Sequence, residues 1–196
     1  MKVIFLDIDG VICVPTREHD QYGQLFHQPF VDNLKWIIDE TGAKIVISST
    51  WRMSGLSVMK EMWEKRGLPG EVIDVTPIIN LAPVRYNDEE GKLSAEDKTY
   101  TVPRGGEIEW WLDLHGKFQR INWSKEEQKK YMNTSIVKNY VILDDDSDML
   151  YGQKEHFVKT AGRNEEDAIY KTGLTRKAAE EAIEILKKDL VELYYG

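Results

Sequence analysis

Short apolar runs recur along the chain, separated by longer segments whose apolar residues return every three or four positions. The runs are Val3-Ile4-Phe5-Leu6, Ile45-Val46-Ile47 after Lys44, and Val141-Ile142-Leu143 after Tyr140. Runs this short, rich in branched side chains and without polar alternation, predict strands buried on both faces, as in the middle of a parallel sheet. Weaker runs predict strands at about 71–75 and 156–159, with 78–81 extending or following the former. Between them, Val31, Leu34, Trp36, Ile37 and Ile38 mark a helix over about 30–41, ended by Gly42. Leu56, Met59, Met62 and Trp63 mark a second over about 55–66, with Ser54 as its cap and Gly67, Pro69 and Gly70 as its stop. Further helices are expected over 107–114, over the charged segment 122–133, and over 175–193 with Ala179, Ala182, Leu186, Leu190 and Leu193 inward.

Strands alternating with helices predict right-handed crossovers. The fold class is therefore α/β, a three-layer sandwich around a central, mostly parallel sheet. Two segments lack helical period: 12–29, with Pro15, Gly23 and Pro29, reads as a small flap, and 82–103, with Pro83 and Gly91, as an insertion too short for a large cap. With 196 residues and 41% hydrophobic content, one domain over 1–196 is expected. Asp7 and Asp9 interrupt the only early apolar run, and no stretch approaches membrane-spanning length, so no leader and no membrane association are expected. The single cysteine, Cys13, excludes an internal disulfide and a thiolate zinc site, which fits a reducing, cytoplasmic location. A net charge of −8 argues against broad attraction to polyphosphate.

The candidate chemistry lies where the strands end. Asp7 and Asp9 follow the first strand, one residue apart and on one side of the extended chain, and Gly10 lets the backbone turn away. Ser48, Ser49 and Thr50 follow the second, where hydroxyls can hold a phosphoryl oxygen or cap the next helix. Asp144, Asp145, Asp146 and Asp148 follow the strand at 140–143. In one parallel sheet these ends converge on a single edge, where open α/β folds bind their ligands. Like charges that close require a proton, hydrogen bonds or a cation. Hard oxygen donors from two strand tips suit Mg²⁺, which keeps waters and takes further oxygens from phosphate.

The segment Val3–Val11, a hydrophobic strand followed by Asp-x-Asp-Gly-Val, resembles the first motif of the haloacid dehalogenase (HAD) superfamily. Ile45–Ser48 is similar to its second motif, and Ile142–Asp145 with Asp148 to its fourth, so the resemblance spans about 2–150 in the right order. The runs SSTWR, PRGGEI and GLT further resemble the compact, nearly capless branch that includes HAD domains of RNA-repair proteins, similar in layout to polynucleotide-kinase phosphatase domains. The resemblance implies a HAD-like Rossmannoid fold and a Mg²⁺-dependent phosphatase working through an aspartyl phosphate. Asp7 would be the nucleophile and Asp9 the acid and base, while Ser48 would hold a phosphoryl oxygen, with Ser49, Thr50 and Arg52 on the substrate. The metal set would be Asp7, Asp9 through its backbone carbonyl, and Asp144 or Asp145, with Asp148 nearby. The third motif departs from the usual pattern, which places a Lys or Arg ahead of the last strand. Arg104 is the choice, with Lys92, Lys98 and Lys117 as alternatives.

The partner implied is a phosphorylated substrate. A site without a sizeable cap cannot close around a small molecule, which points to a large substrate such as a polynucleotide end, with a nucleotide as the runner-up. Trp110, Trp111, Phe118, Trp123 and Tyr131 interleave with Lys117, Arg120, Lys125, Lys129 and Lys130, a pattern that fits a single-strand platform. Buried helix faces with charged rims explain the same letters and are preferred. His19 and His27 in the flap read as solvated. A dehalogenase would need neither metal nor Asp9, and a non-catalytic binding module would tolerate loss of a motif carboxylate, yet every one of these stands. The oligomeric state is left open.

Overall fold

The computed structural model describes residues 1–81, 84–87, 92–95, 100–115, 137–160 and 173–188. Its centre is a five-stranded sheet of β1 (Lys2–Leu6), β4 (Lys44–Ile47), β5 (Val72–Val75), β10 (Asn139–Asp144) and β11 (Phe157–Lys159), in the order β11-β10-β1-β4-β5. Every neighbouring pair is parallel. The remaining strands form short two-stranded ribbons: β2 (His19–Asp20) with β3 (Gly23–Gln24), β6 (Asn80–Leu81) with β9 (Tyr100–Thr101), and β7 (Val84–Asn87) with β8 (Lys92–Ala95). The first ribbon is the expected flap, and the other two belong to the 82–103 excursion and its base.

The unbroken apolar runs have a simple cause, because both faces of the sheet are covered. Ile4, Leu6, Ile45, Ile47, Val141 and Leu143 point to one side, against α1 (Gln28–Thr41), α2 (Leu56–Lys65) and α4 (Arg176–Lys187). Val3, Phe5, Val46, Tyr140 and Ile142 point to the other, against α3 (Arg104–Leu114). Phe5 meets Trp111 and Tyr140 edge-on, with ring centroids 5.3 and 5.8 Å away. Full burial of an aliphatic or phenyl side chain contributes roughly 1.5–3 kcal/mol, so β1, with four wholly buried side chains, is the strand the layers grip most firmly.

Several boundaries differ from expectation. Ser54 does not cap α2. Thr50–Ser54 forms a 3-10 turn, Ser49 accepts the Trp51 N–H at its start, and Gly55 precedes α2. The turn is what allows Arg52 to fold back beneath the end of β4. α1 begins at Gln28 and carries Pro29 in its first turn, where a missing N–H costs nothing. α3 begins at Arg104 rather than Glu107. The segment 122–133, Leu190 and Leu193 lie outside the described residues. No helix among the described residues is long and apolar enough to cross a membrane.

The end of α4 is tied to the sheet by one side chain. Buried Asn139 donates from Nδ2 to the carbonyls of Ile185 (2.6 Å) and Lys188 (2.7 Å). Those carbonyls are among the acceptors a helix end leaves unpaired. Asn139→Asp keeps the size, removes both donors and sets a negative charge against the negative helix end. We expect it to lower unfolding free energy by about 2 kcal/mol or more, measured by urea denaturation.

Candidate active site

β1 lies between β4 and β10, and Leu6 is level with both Ile47 and Leu143. The next residues, Asp7, Ser48 and Asp144, are therefore neighbours at one sheet edge. The ladder runs on through them: the Asp7 N–H donates to Leu143 O (2.9 Å) and the Ser48 N–H to Leu6 O (3.0 Å). Asp7, Asp144 and Asp145 are buried, and each offers a carboxylate oxygen within 4.8 Å of the others. Gly10 makes this packing possible. It turns with φ 72°, and a Cβ there would lie 2.3 Å from the Asp145 carboxyl carbon, so any side chain would drive Asp145 away. Thr160 braces the same turn, donating from Oγ1 to Gly10 O (3.1 Å) and from its N–H to Asp144 O (3.0 Å).

Arg104 supplies the positive charge. Its Nη1 lies 3.7 Å from Asp7 Oδ1 and its Nε 3.9 Å from Asp144 Oδ2. These are Coulombic contacts, too long for hydrogen bonds. Arg104 Nη1, Asp144 Oδ2 and Ser48 Oγ are all buried with no hydrogen-bond partner. An unsatisfied buried polar atom costs about 1–3 kcal/mol, so a donor, an acceptor and a hydroxyl left unpaired at one strand edge fit a ligand and an ion rather than a finished core.

Burial raises the pKa of Asp7, opposed by the Arg104 charge and by a hydrogen bond from the Ser49 side chain. Asp144 is pushed up to about 7, first by burial and then by the charge of Asp7. Without a cation the cluster thus holds a proton near neutral pH. An acidic oxygen set of this kind fits a divalent metal ion, which would take the proton's place.

Two cross-links hold α3 against this edge. Asp148 Oδ2 accepts from the Arg104 N–H (2.9 Å) and Asp148 O from the Gly105 N–H (3.1 Å). A Cβ on Gly105 would lie 2.4 Å from the Leu150 nitrogen, and Gln153 Nε2 donates to Gly105 O (2.8 Å). On the β4 side, buried Arg52 pairs with buried Glu107 and donates from Nη1 to Ser48 O (2.6 Å) and Ser49 O (2.8 Å). Glu107 Oε1 also accepts the Ile79 N–H (3.1 Å).

The residues singled out in the sequence are therefore not all alike. Asp7, Asp144, Asp145, Ser48 and Arg104 come together. Arg52 turns inward to backbone and Glu107, Thr50 is exposed, and exposed Asp148 binds the start of α3. Half-exposed Asp9 accepts a hydrogen bond from Trp51 Nε1 (3.0 Å). Beside it, burial and then the charge of Asp9 push the Cys13 thiol up to about 11, so the thiol is inert. Lys92 lies on β8, whereas Lys98 and Lys117 fall outside the described residues. Trp111 is buried against Phe5 and Trp110 is 54% exposed. Phe118, Arg120, Trp123, Lys125, Lys129, Lys130 and Tyr131 lie outside the described residues. His19 and His27 are exposed. Sequence reasoning missed Glu107 and Trp51. The first was signalled only by its place one turn after Arg104, the second only by following the serines.

The raised Asp144 value has a sign that can be measured. A carboxyl whose folded pKa exceeds its unfolded one stabilises the fold fully below the unfolded value, and that contribution is lost as pH rises through about 7. The metal-free protein should therefore lose thermal stability between about pH 4 and 7. A divalent cation must compete with that proton, so the rise in melting temperature on adding Mg²⁺ should be larger at pH 8 than at pH 6, checked by differential scanning fluorimetry.

No curated protein and no solved structure matches the chain. Residues 3–178 match the family model described as the HAD domain in Swiss Army Knife RNA repair proteins. That match runs from β1 into α4 and takes in each strand end that contributes to the acidic cluster. With the parallel sheet and the buried aspartates it supports a hydrolase, and the chain belongs to the family of HAD domains found in Swiss Army Knife RNA repair proteins.

Proposed function

We propose that the protein is a Mg²⁺-dependent phosphomonoester hydrolase that works through a phosphorylated Asp7. The observation that carries this reading is the placement of Asp7 between Asp144 and Ser48 at the sheet edge, clustered with Asp145 and facing the Arg104 guanidinium that also reaches Asp144. An Asp7 oxygen attacks phosphorus while the bond to the leaving oxygen breaks and Asp9 supplies that oxygen's proton. Water, deprotonated by Asp9, then attacks the same phosphorus, releasing phosphate and restoring Asp7. Arg104 Nη1 and Ser48 Oγ, both without hydrogen-bond partners, hold phosphoryl oxygens. Ser49 steadies Asp7, and Arg52 acts on the substrate only through the backbone of Ser48 and Ser49. Asp7, Asp144 and Asp145, with the Asp9 backbone carbonyl, would hold Mg²⁺; Asp148 we assign to seating Arg104 instead. When bound, the ion neutralises the carboxylates and the phosphoryl charge, allowing anion to approach anion.

For substrate we favour a terminal phosphate on a polynucleotide. The family description names RNA repair proteins, the flap is a ribbon of two-residue strands, and exposed Trp110 offers one aromatic face at the start of segment 110–131. The net charge of −8 weighs toward a mononucleotide. Buried, unpaired Cys13 agrees with a cytoplasmic setting.

Asp7→Asn is nearly isosteric but removes the attacking oxyanion, and should cut kcat by about three orders of magnitude or more, with the melting temperature kept or raised. In calorimetric titration, Asp144→Ala with Asp145→Ala should abolish Mg²⁺ binding, whereas Asp148→Asn should retain it and lower kcat. Unchanged affinity in the double variant would refute the metal assignment. A 3′-phosphorylated oligonucleotide should show a higher kcat/KM than the matching mononucleotide, with an advantage that shrinks as salt rises because phosphate contacts release counterions. Equal use of the two, without a salt effect, would identify a nucleotidase.

A further inference from the structure

Asp9 follows a strand end and precedes a glycine turn, and its side chain is half exposed. Among the described residues no backbone N–H is bonded to its carboxylate, and the Cys13 thiol beside it is a weak donor. The indole of Trp51 holds it, donating from Nε1 to Asp9 Oδ2 at 3.0 Å. Trp51 is the second residue of the 3-10 turn after β4, and its N–H is held by the side chain of Ser49.

The indole is itself held from the far side by the flap. Its ring packs against Phe26, with centroids 5.5 Å apart, and the Arg66 guanidinium lies 5.6 Å from its centroid and 4.5 Å from that of Phe26. Gly23, with φ 116°, brings the ribbon so close that a Cβ there would lie 3.3 Å from the Trp51 ring edge. The ribbon is anchored in turn to α2. Arg66 donates to both oxygens of Asp20, from Nε at 2.9 Å and Nη2 at 2.6 Å, and the Tyr22 hydroxyl donates to Glu61 (2.8 Å). Packing alone would be met by a phenyl ring. An N–H aimed at the carboxylate would not be needed for it.

We propose that Trp51 is a positioning residue for Asp9, and that the β2–β3 ribbon, clamped by Arg66, serves as the rigid backing of that indole. This rests on Asp9 being the proton donor of the proposed reaction. A carboxyl swung off line cannot deliver its proton to the leaving oxygen, so chemistry should suffer in proportion to how much the leaving group needs that proton.

The test is the rate of leaving-group release in a single turnover, in the full chain with Mg²⁺, for two substrates. A nucleoside 3′-monophosphate expels an alkoxide that needs protonation, whereas p-nitrophenyl phosphate expels a stable phenolate. Trp51→Phe should slow the first about tenfold and the second less than about threefold, with KM little changed. Arg66→Met should show the same selectivity at smaller amplitude. Asp9→Asn is the reference and should show the same pattern more strongly. Equal slowing of both substrates by Trp51→Phe, or none, would overturn the positioning role, and an unchanged ratio in Arg66→Met would overturn the part given to the ribbon. If Asp9→Asn does not discriminate between the substrates, the acid role of Asp9 falls and this inference with it. A readout independent of the Trp51 variant's folding is the assigned Trp51 indole ¹H–¹⁵N resonance, which should move in Asp9→Asn. A resonance that stays in place would show that the indole does not hold the carboxylate.

Discussion

Three carboxylates crowd within 4.8 Å at the end of β1, and burial denies them the water that would otherwise screen their repulsion. Arg104 supplies one guanidinium, at distances too long for hydrogen bonds. The cluster is therefore short of positive charge, and burial, followed by the charge of Asp7, pushes Asp144 up to about 7, so that a proton can make up part of the difference. Such a site costs stability and persists because the scaffold around it leaves no room to relax. The β1 ladder fixes Asp7, the bare α-carbon of Gly10 admits Asp145, and Thr160 locks the turn between them. The same shortage of positive charge is what suits the site to a divalent cation.

Arg104 depends on a helix that lies on the opposite face of the sheet from α1, α2 and α4. Two links carry it to the edge. Asp148 binds the first amides of α3, and Gly105 permits contact with the 149–150 backbone that any side chain would prevent. The Arg52–Glu107 pair joins the same helix to the carbonyls of Ser48 and Ser49. Removing one partner of a buried pair costs about 3–5 kcal/mol, so the charge is best understood as holding two site-bearing elements in one relative position. The positions of Arg104 and Ser48 are mechanically joined through it.

The flap has a comparable relation to Asp9. Its strands are only two residues long, too short to stand alone, and its order comes from Arg66, Trp51 and Phe26. The ribbon, packed behind Trp51, thus gives Asp9 a fixed neighbour.

Much of the fold was legible because unbroken apolar runs have few physical solutions. Val3–Leu6, Ile45–Ile47 and Val141–Leu143 can be satisfied only between two layers of helices, and parallel pairing then brings the polar residues after each run to one edge. That reasoning reached Asp7, Ser48 and Asp144 from composition and spacing, and the HAD resemblance followed from the same residues. It could not say which carboxylates touch. Asp148 has the same side chain and nearly the same address as Asp145, yet Asp145 enters the cluster across Gly10 while Asp148 reaches the start of α3. It could not separate Arg52 from Arg104 either, since both are arginines beside site segments. The 3-10 turn directs one inward to Glu107, and the first turn of α3 directs the other to the carboxylates. Strand identity and the edge they share are local and periodic, and the sequence by itself determined them. Partner choice among like side chains depends on contacts between residues 42 to 150 positions apart, such as Trp51 with Asp9, Arg52 with Glu107 and Gly10 with Thr160, and only the tertiary structure decided those, because no periodicity in a chain encodes which distant turn will lie beside which.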